Sequence, residues 1–290
     1  MSCELCPRGC AIDRDKQIGV CGVSDRARIG KIMLHRWEEP CISGTRGSGA
    51  IFFAGCGLGC VYCQNYELSR GRIGTPTDAR RLADCMRALQ ERGAHNINLV
   101  TATQSIPTIE RALGYFRPSV PIVYNCGGYE RVETLRRIAD WVDVWLPDWK
   151  YASRDLAAAY SRAPDYPDVA ARAIAYMRAL APDDVYDADG LMLKGMIVRH
   201  LVLPGALSDT RAVLDAIART VGTRTRLSLM GQYTPIARTL PAPLDRKLKP
   251  LEYKAAISYA LRLGFDDALV QEEDCADAQY IPEFDGTLTV

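Results

Sequence analysis

The stretch Ala50-Ile51-Phe52-Phe53-Ala54-Gly55-Cys56-Gly57-Leu58-Gly59-Cys60-Val61-Tyr62-Cys63 decides how this chain is read. Its first half is an apolar run that reads as a strand. Its second half is a loop carrying three thiols, in which Gly57 and Gly59 free the backbone to curl around something bulky. Thiolates suit iron-sulfur clusters and zinc. A closed structural zinc site takes four protein ligands, whereas a 4Fe-4S cluster on three cysteines leaves one iron open to a ligand that is not protein. The bland alternative is a fortuitous thiol cluster or a zinc loop, and the context of the motif has to decide.

Composition narrows that context. The 290 residues are 48% hydrophobic and 24% charged, which suits one large globular domain with a small appendage. With 36 Lys and Arg against 35 Asp and Glu, the net charge of +1 provides no footprint for nucleic acid or an anionic membrane. No run approaches the ~18 uninterrupted apolar residues of a membrane span, and Met1-Ser2-Cys3-Glu4 opens no export signal. A cytoplasmic location is therefore expected. Eleven cysteines, an odd number, argue for metal ligation over disulfides.

Four of those cysteines, Cys3, Cys6, Cys10 and Cys21, open the chain, with Pro7 and Gly9 breaking regular structure between them. They suffice to close a site for zinc or a second iron-sulfur cluster, unliganded structural thiols being the alternative. Residues 1–30 are accordingly read as a cysteine-rich metal-binding segment and 31–290 as the main domain. His35 and Cys41 read as packing residues, and Glu38 and Glu39 beside Pro40 as a solvated turn, with a substrate-facing turn as the alternative.

Beyond the loop the apolar period changes. Leu82, Cys85, Met86 and Leu89 predict an amphipathic helix over 78–92, with Thr77 as N-cap, Gly93 as stop and Cys85 in the core. Strands then alternate with helices: strands at 96–101, 121–125, 142–146, 195–203 and 226–230, a last helix at 250–263, and a short strand at 268–270. Repeated strand-helix units imply a parallel sheet with right-handed crossovers. Six units curve into a partial barrel, in which chemistry gathers at the carboxyl ends of the strands. That rule selects 101–104, 125–128, Asp148 and Lys150, 199–205 and 230–233, besides the cysteine loop.

The cysteine spacing, with Tyr62 before the last cysteine and a strand before the first, resembles the signature of the radical S-adenosylmethionine (SAM) superfamily. His35-Arg36-Trp37-Glu38-Glu39-Pro40, the run Ile42-Ser43-Gly44 through Gly49, and Cys63-Gln64-Asn65 resemble an uncharacterised branch related to pyruvate formate-lyase-activating enzymes. Leu146-Pro147-Asp148-Trp149-Lys150 is similar to the fourth-strand Leu-Asp-Leu-Lys pattern of those enzymes, and Arg199 through Pro204-Gly205 to their fifth-strand pattern. Tyr124-Asn125-Cys126-Gly127-Gly128 departs from the third-strand pattern, with an amide where a carboxylate is usual, and Thr101-Ala102-Thr103-Gln104 stands where Gly-Gly-Glu is common.

The resemblance implies a radical SAM partial (β/α)6 barrel of the α/β class and an oxidoreductase. Cys56, Cys60 and Cys63 would hold a 4Fe-4S cluster that reductively cleaves SAM to a 5'-deoxyadenosyl radical for hydrogen abstraction. Tyr62 would lie beside the adenine, and Thr101, Thr103, Asn125, Gly127, Asp148, Lys150, Arg199 and Gln232 would contact SAM. A carboxylate wants a cation or a fork of donors, which points to Lys150 and Arg199; Asp148, Asn125 and Gln232 suit ammonium or ribose. The implied partners are a low-potential donor of flavodoxin or ferredoxin type and a glycyl-radical protein. Two alternatives stand beside that activase reading: a radical SAM enzyme acting on a small molecule or non-glycyl macromolecule, and a non-catalytic cysteine-rich metal or redox module. Less informative are 183–190, read as a solvated turn, the proline-rich connection 231–250, read as a lid or docking surface, and Tyr280 to Phe284, expected to close the barrel, with Cys275 unpartnered.

Overall fold

The computed structural model describes residues 3–236, 239–271 and 282–288. Its strands are β1 (Ala27–His35), β2 (Ser48–Phe53), β3 (Thr75–Thr77), β4 (Ile97–Val100), β5 (Ile122–Cys126), β6 (Val144–Pro147), β7 (Val185–Tyr186), β8 (Met192–Leu201), β9 (Arg226–Met230) and β10 (Leu269–Val270). They form one sheet in the order β10-β9-β8-β6-β5-β4-β2-β1-β3, with β7 paired to β8. From β2 through β10 along that order every pairing is parallel. The strand-helix alternation read from the sequence is therefore realised, including the short strand at 269–270.

Parallel strands covered on both faces need apolar residues throughout, and every residue of β2, β4, β5 and β6 is buried. Alternate residues feed different layers. Ile51 and Phe53 pack with Leu82, Leu89, Leu99 and Trp145 in the main core. Ala50 and Phe52 face the other way, onto Val23, Leu68 and Val100. The crossover helix Ala79–Glu91 buries Leu82, Cys85, Met86 and Leu89, the stripe its spacing predicts. Its N-cap is Asp78, whose carboxylate accepts the Arg81 N–H at 2.8 Å. The expected cap, Thr77, instead ends β3.

Two features were not foreseen. Strand β1 runs antiparallel to β2 and extends the sheet beyond the parallel units; its Gly30 and Lys31 interrupt the alternation by which strands are recognised. A β-carbon on Gly30 would fall 2.3 Å from Leu68 Cδ1, so the glycine is what lets the short helix Tyr66–Ser69 pack across the strand. Helix Arg154–Ser161, capped by the Ser153 hydroxyl, fills the β6 to β8 crossover ahead of the long helix Tyr166–Leu180. The stretch 183–190, expected to be a solvated turn, is one only over 187–190, where Asp187 accepts the Asp189 and Leu191 amides; Val185–Tyr186 forms β7, and Asp184 is half-buried on Arg178 at 2.9 Å. Cys275, Tyr280 and Ile281 lie outside the described residues.

Candidate active site

The cysteine loop leaves β2 at the carboxyl end of the sheet. Gly55 has φ +87°, and a β-carbon there would fall 2.7 Å from the Cys21 carbonyl oxygen, so only glycine fits. Gly59, at φ +55°, turns the chain back toward Cys60. The loop is then pinned from outside: Val61 N–H donates to the Tyr160 carbonyl at 2.9 Å, Arg70 to the Gly59 carbonyl at 2.9 Å, and the Ser161 hydroxyl to Cys60 Sγ at 3.0 Å. Cys60 is buried; Cys56 and Cys63 are partly exposed. Burial, with the neighbouring Cys60 and Cys56 sulfurs, pushes the Cys63 thiol up to about 12.

All three cysteines line one cavity of about 250 Å³. The same cavity is lined by Tyr62, Thr101, Asn125, Gly127, Asp148, Lys150, Arg199 and Gln232, which arrive from the ends of six different strands. Thr103 is the exception among the expected contacts. Its hydroxyl points to the other side of the β4 end, donating to Glu130 at 2.8 Å and meeting the Tyr124 hydroxyl at 3.0 Å. Thr101 holds φ +57°, a left-handed conformation rare outside glycine and concentrated at functional sites.

The charged wall of the cavity is a single network. Arg199 donates from Nε to Asp148 at 2.8 Å, from one terminal nitrogen to Glu38 at 3.1 Å and from the other to Asn125 at 2.6 Å. Lys150 Nζ donates to the second Asp148 oxygen at 2.6 Å. Glu38 also accepts from Asn98 and Asn125. Burial alone works to raise Asp148, but the Arg199 and Lys150 cations outweigh it and hold the carboxyl below its ordinary value. Burial likewise works to lower Arg199 and Lys150, and the carboxylates around them keep both charged. Glu38 is pushed up by burial in spite of Arg199.

This corrects the reading of Glu38 and Glu39 as a solvated turn. Glu38 is 10% exposed at the side chain and Glu39 is buried; a carboxylate goes inside when a cation meets it there. Arg199, five strands along the sheet from β1, could not be seen from the local sequence. The Arg199 guanidinium is engaged at three points, on Asp148, Glu38 and Asn125. His35, expected to be packing, both packs edge-on against Phe52 and lines the cavity.

Close approach of β5 and β6 makes the floor. A β-carbon on Gly128, at φ +74°, would meet the Asp148 carbonyl oxygen at 2.2 Å. The Tyr166 hydroxyl accepts from the Lys150 N–H at 2.8 Å and faces the carbonyls of Gly127 and Asp148, each at 2.9 Å. Tyr62 sits in an aromatic nest with Tyr151, Tyr160 and Tyr233, ring centroids 6.2–6.4 Å away. At the rim, Pro282 lines the cavity and Phe284 packs edge-on against Phe52 at 5.3 Å, so the described part of the expected closing segment does lie there.

A second, smaller cavity lies behind the loop, lined by Cys3, Cys6, Cys10, Cys21, Arg14, Thr103 and Glu130, and by Cys56 itself. Among the described residues no three Cys, His, Asp or Glu side chains converge as ligands of one metal ion. A cubane is a different demand, since each thiolate binds a different iron and the sulfurs stand further apart. Three thiols opening onto one side of a tight loop, above a roomy cavity, fit that demand.

Comparison with known proteins agrees with this architecture. SuiB of Streptococcus suis bound to S-adenosylmethionine superposes with a TM-score of 0.52 at 11% identity, over 76% of this chain and 49% of that one. SuiB bound to the precursor peptide SuiA gives 0.51 at 11% identity, over 76% and 47%. Native anSMEcpe with bound AdoMet gives 0.52 at 12% identity, over 75% and 61%. The fold is the partial barrel of the radical SAM type. The chain thus spans about half to three-fifths of those structures. In sequence it is 25% identical over 278 residues to the uncharacterized protein MJ0674 of Methanocaldococcus jannaschii, covering 91% of this chain and 76% of that protein. No family model matches the chain. No helix among the described residues is long and apolar enough to cross a membrane.

Proposed function

We propose that this chain is a radical SAM enzyme whose 4Fe-4S cluster is held by Cys56, Cys60 and Cys63. The observation that carries the reading is that these three thiols and the Asp148-Lys150-Arg199 network line one cavity at the strand ends. With SAM on its open iron and an electron from a flavodoxin- or ferredoxin-type donor, such a cluster supplies a 5'-deoxyadenosyl radical for hydrogen abstraction.

The chain's own residues bind, orient and exclude water. Lys150, charged and only 20% exposed, presents an ammonium for the SAM carboxylate. Asn125, Gly127 and Gln232 bring amide groups toward the polar edges of SAM, and the apolar faces of Leu58 and Tyr62 give the adenine a dry wall. Arg199 fixes the positions of Asp148, Asn125 and Glu38, keeping the site in one arrangement before any ligand enters.

For the substrate, a peptide or protein backbone is the reading we favour, glycyl-radical activation being its most specific form. It is supported by the resemblance to activating enzymes and by the SuiB complex with a precursor peptide, a protein of the same fold. Two experiments test these levels separately. Reduced protein should convert SAM to 5'-deoxyadenosine and methionine, and Cys56→Ala, Cys60→Ala and Cys63→Ala should each lower that rate at least ~100-fold; normal turnover in any of them would refute the cluster assignment. Deuterium from the α-carbons of a glycine-labelled candidate protein should then enter 5'-deoxyadenosine. Transfer from a metabolite alone would reject the protein substrate and leave the radical chemistry intact.

A further inference from the structure

The cavity behind the cysteine loop is lined by four cysteines together with the buried side chains of Arg14 and Glu130. Cys3, Cys6, Cys10 and Cys21 all line it, although the segment carrying them forms no helix or named strand. A β-carbon on Gly19 would fall 3.5 Å from Cys21 Sγ and 3.6 Å from Cys10 Sγ, and one on Gly57 3.4 Å from Cys6 Sγ. Arg14 lines the same cavity at 7% exposure. Its two terminal nitrogens donate to the Gln104 and Ser24 carbonyls, but its Nε is buried with no partner among the described residues. A buried cation with an unused donor beside four thiols is what a net-negative thiolate cluster requires.

We propose that these four cysteines hold a second iron-sulfur cluster of the 4Fe-4S class, with Arg14 as its buried counter-charge. Zinc is the competing occupant, and the place of the segment disfavours it. The Cys21 carbonyl accepts the Cys56 N–H at 3.1 Å, so a ligand of each set is joined by one hydrogen bond. Glycines make this contact possible: side chains at Gly22, Gly55 or Gly71 would collide with the backbone of the facing loop at 2.5–2.7 Å. A zinc ion that merely ordered the N-terminus would not need that approach, whereas a redox centre gains from it.

The test uses the full chain, reconstituted anaerobically with iron and sulfide in the presence of zinc. Metal content, Mössbauer spectra and electron paramagnetic resonance are read for wild type, for the Cys56→Ala, Cys60→Ala, Cys63→Ala triple variant, and for Arg14→Gln. Expected are about eight irons per chain in wild type, in two Mössbauer environments, and about four in the triple variant, with no zinc. The reduced wild type should show signals broadened by coupling between neighbouring spins, and the triple variant a single uncoupled signal. Arg14→Gln keeps every cysteine and should move one reduction midpoint to more negative potential, since the reduced cluster loses its counter-charge. About four irons in wild type, zinc in place of the second four, or two unmoved midpoints in Arg14→Gln would overturn the proposal. A variant with Cys3, Cys6, Cys10 and Cys21 all changed to Ala reports on the front cavity instead. If SAM no longer perturbs its remaining signal, the functional reading fails while the iron count still stands on its own.

Discussion

Cys56, Cys60 and Cys63 follow a strand whose six residues are all buried, whereas Cys3, Cys6, Cys10 and Cys21 lie on a segment held to the barrel by polar contacts. Arg8 alone donates to the carbonyls of Gly57, Arg162 and Ser161, and the Thr134 hydroxyl to that of Leu5. The first set is positioned by the core of the protein. The second depends on docking and, on our proposal, on the metal that its thiolates bind, because a short apolar-poor segment has little else to order it. On our proposal, the contrast is between a site ordered by the core and one ordered largely by its metal.

The largest effect that could break this contrast is at Arg199. Arg199→Ala would leave Asp148 and Glu38 buried without their shared cation, and metal-free protein should lose about 3–5 kcal/mol of stability in urea unfolding. A loss below about 1 kcal/mol would mean that the front site is not preformed. A smaller effect comes from His200, buried between the Trp149 carbonyl and the Thr210 hydroxyl. Burial lowers its pKa from 6.5 to about 4. Between those values the unfolded chain carries the proton and the fold does not, so stability is full above about 6.5 and is lost as pH falls. The slope from this one group is up to about 1.4 kcal/mol per pH unit. His200→Gln should flatten that part of the stability profile, measured by urea midpoints across the interval; an unchanged slope would assign the acid sensitivity elsewhere.

The smallest effect sharpens the other half of the contrast. Thr134→Val removes the hydroxyl that donates to Leu5 at 2.9 Å, worth about 1 kcal/mol. It should speed proteolysis within residues 3–21 while leaving the barrel's unfolding midpoint in place. A lowered midpoint would show that the segment and the barrel unfold as one unit.

Much of the barrel was legible in the sequence because buried parallel strands and amphipathic helices leave periodic patterns, as at Ile97–Val100 and Leu82 to Leu89. Strand β1 was not, since Gly30 and Lys31 disturb its alternation, the glycine for a reason, Leu68 packing, that only the fold reveals. The strand-end rule brought Thr101, Asn125, Asp148, Lys150, Arg199 and Gln232 to one cavity, because it follows from topology and not from local composition. It misplaced Thr103, where the 3₁₀ turn Thr103–Ser105 rotates the side chain to the back. Glu38 was misread because acidic residues beside proline are usually exposed, and its burial depends on a cation 161 residues away. Tyr166 and Ser161 carry no motif at all; they matter only through the backbone and sulfur atoms that the crossover helices bring within reach.

The central claim is that SAM meets the cluster held by Cys56, Cys60 and Cys63. It is tested most directly by hyperfine spectroscopy of the reduced protein with SAM labelled by 15N at the amino group and 17O at the carboxylate. We predict couplings from both labels in wild type and in the variant lacking Cys3, Cys6, Cys10 and Cys21, and none in the variant lacking Cys56, Cys60 and Cys63. Couplings that vanish with the N-terminal cysteines and survive loss of the loop cysteines would contradict the account.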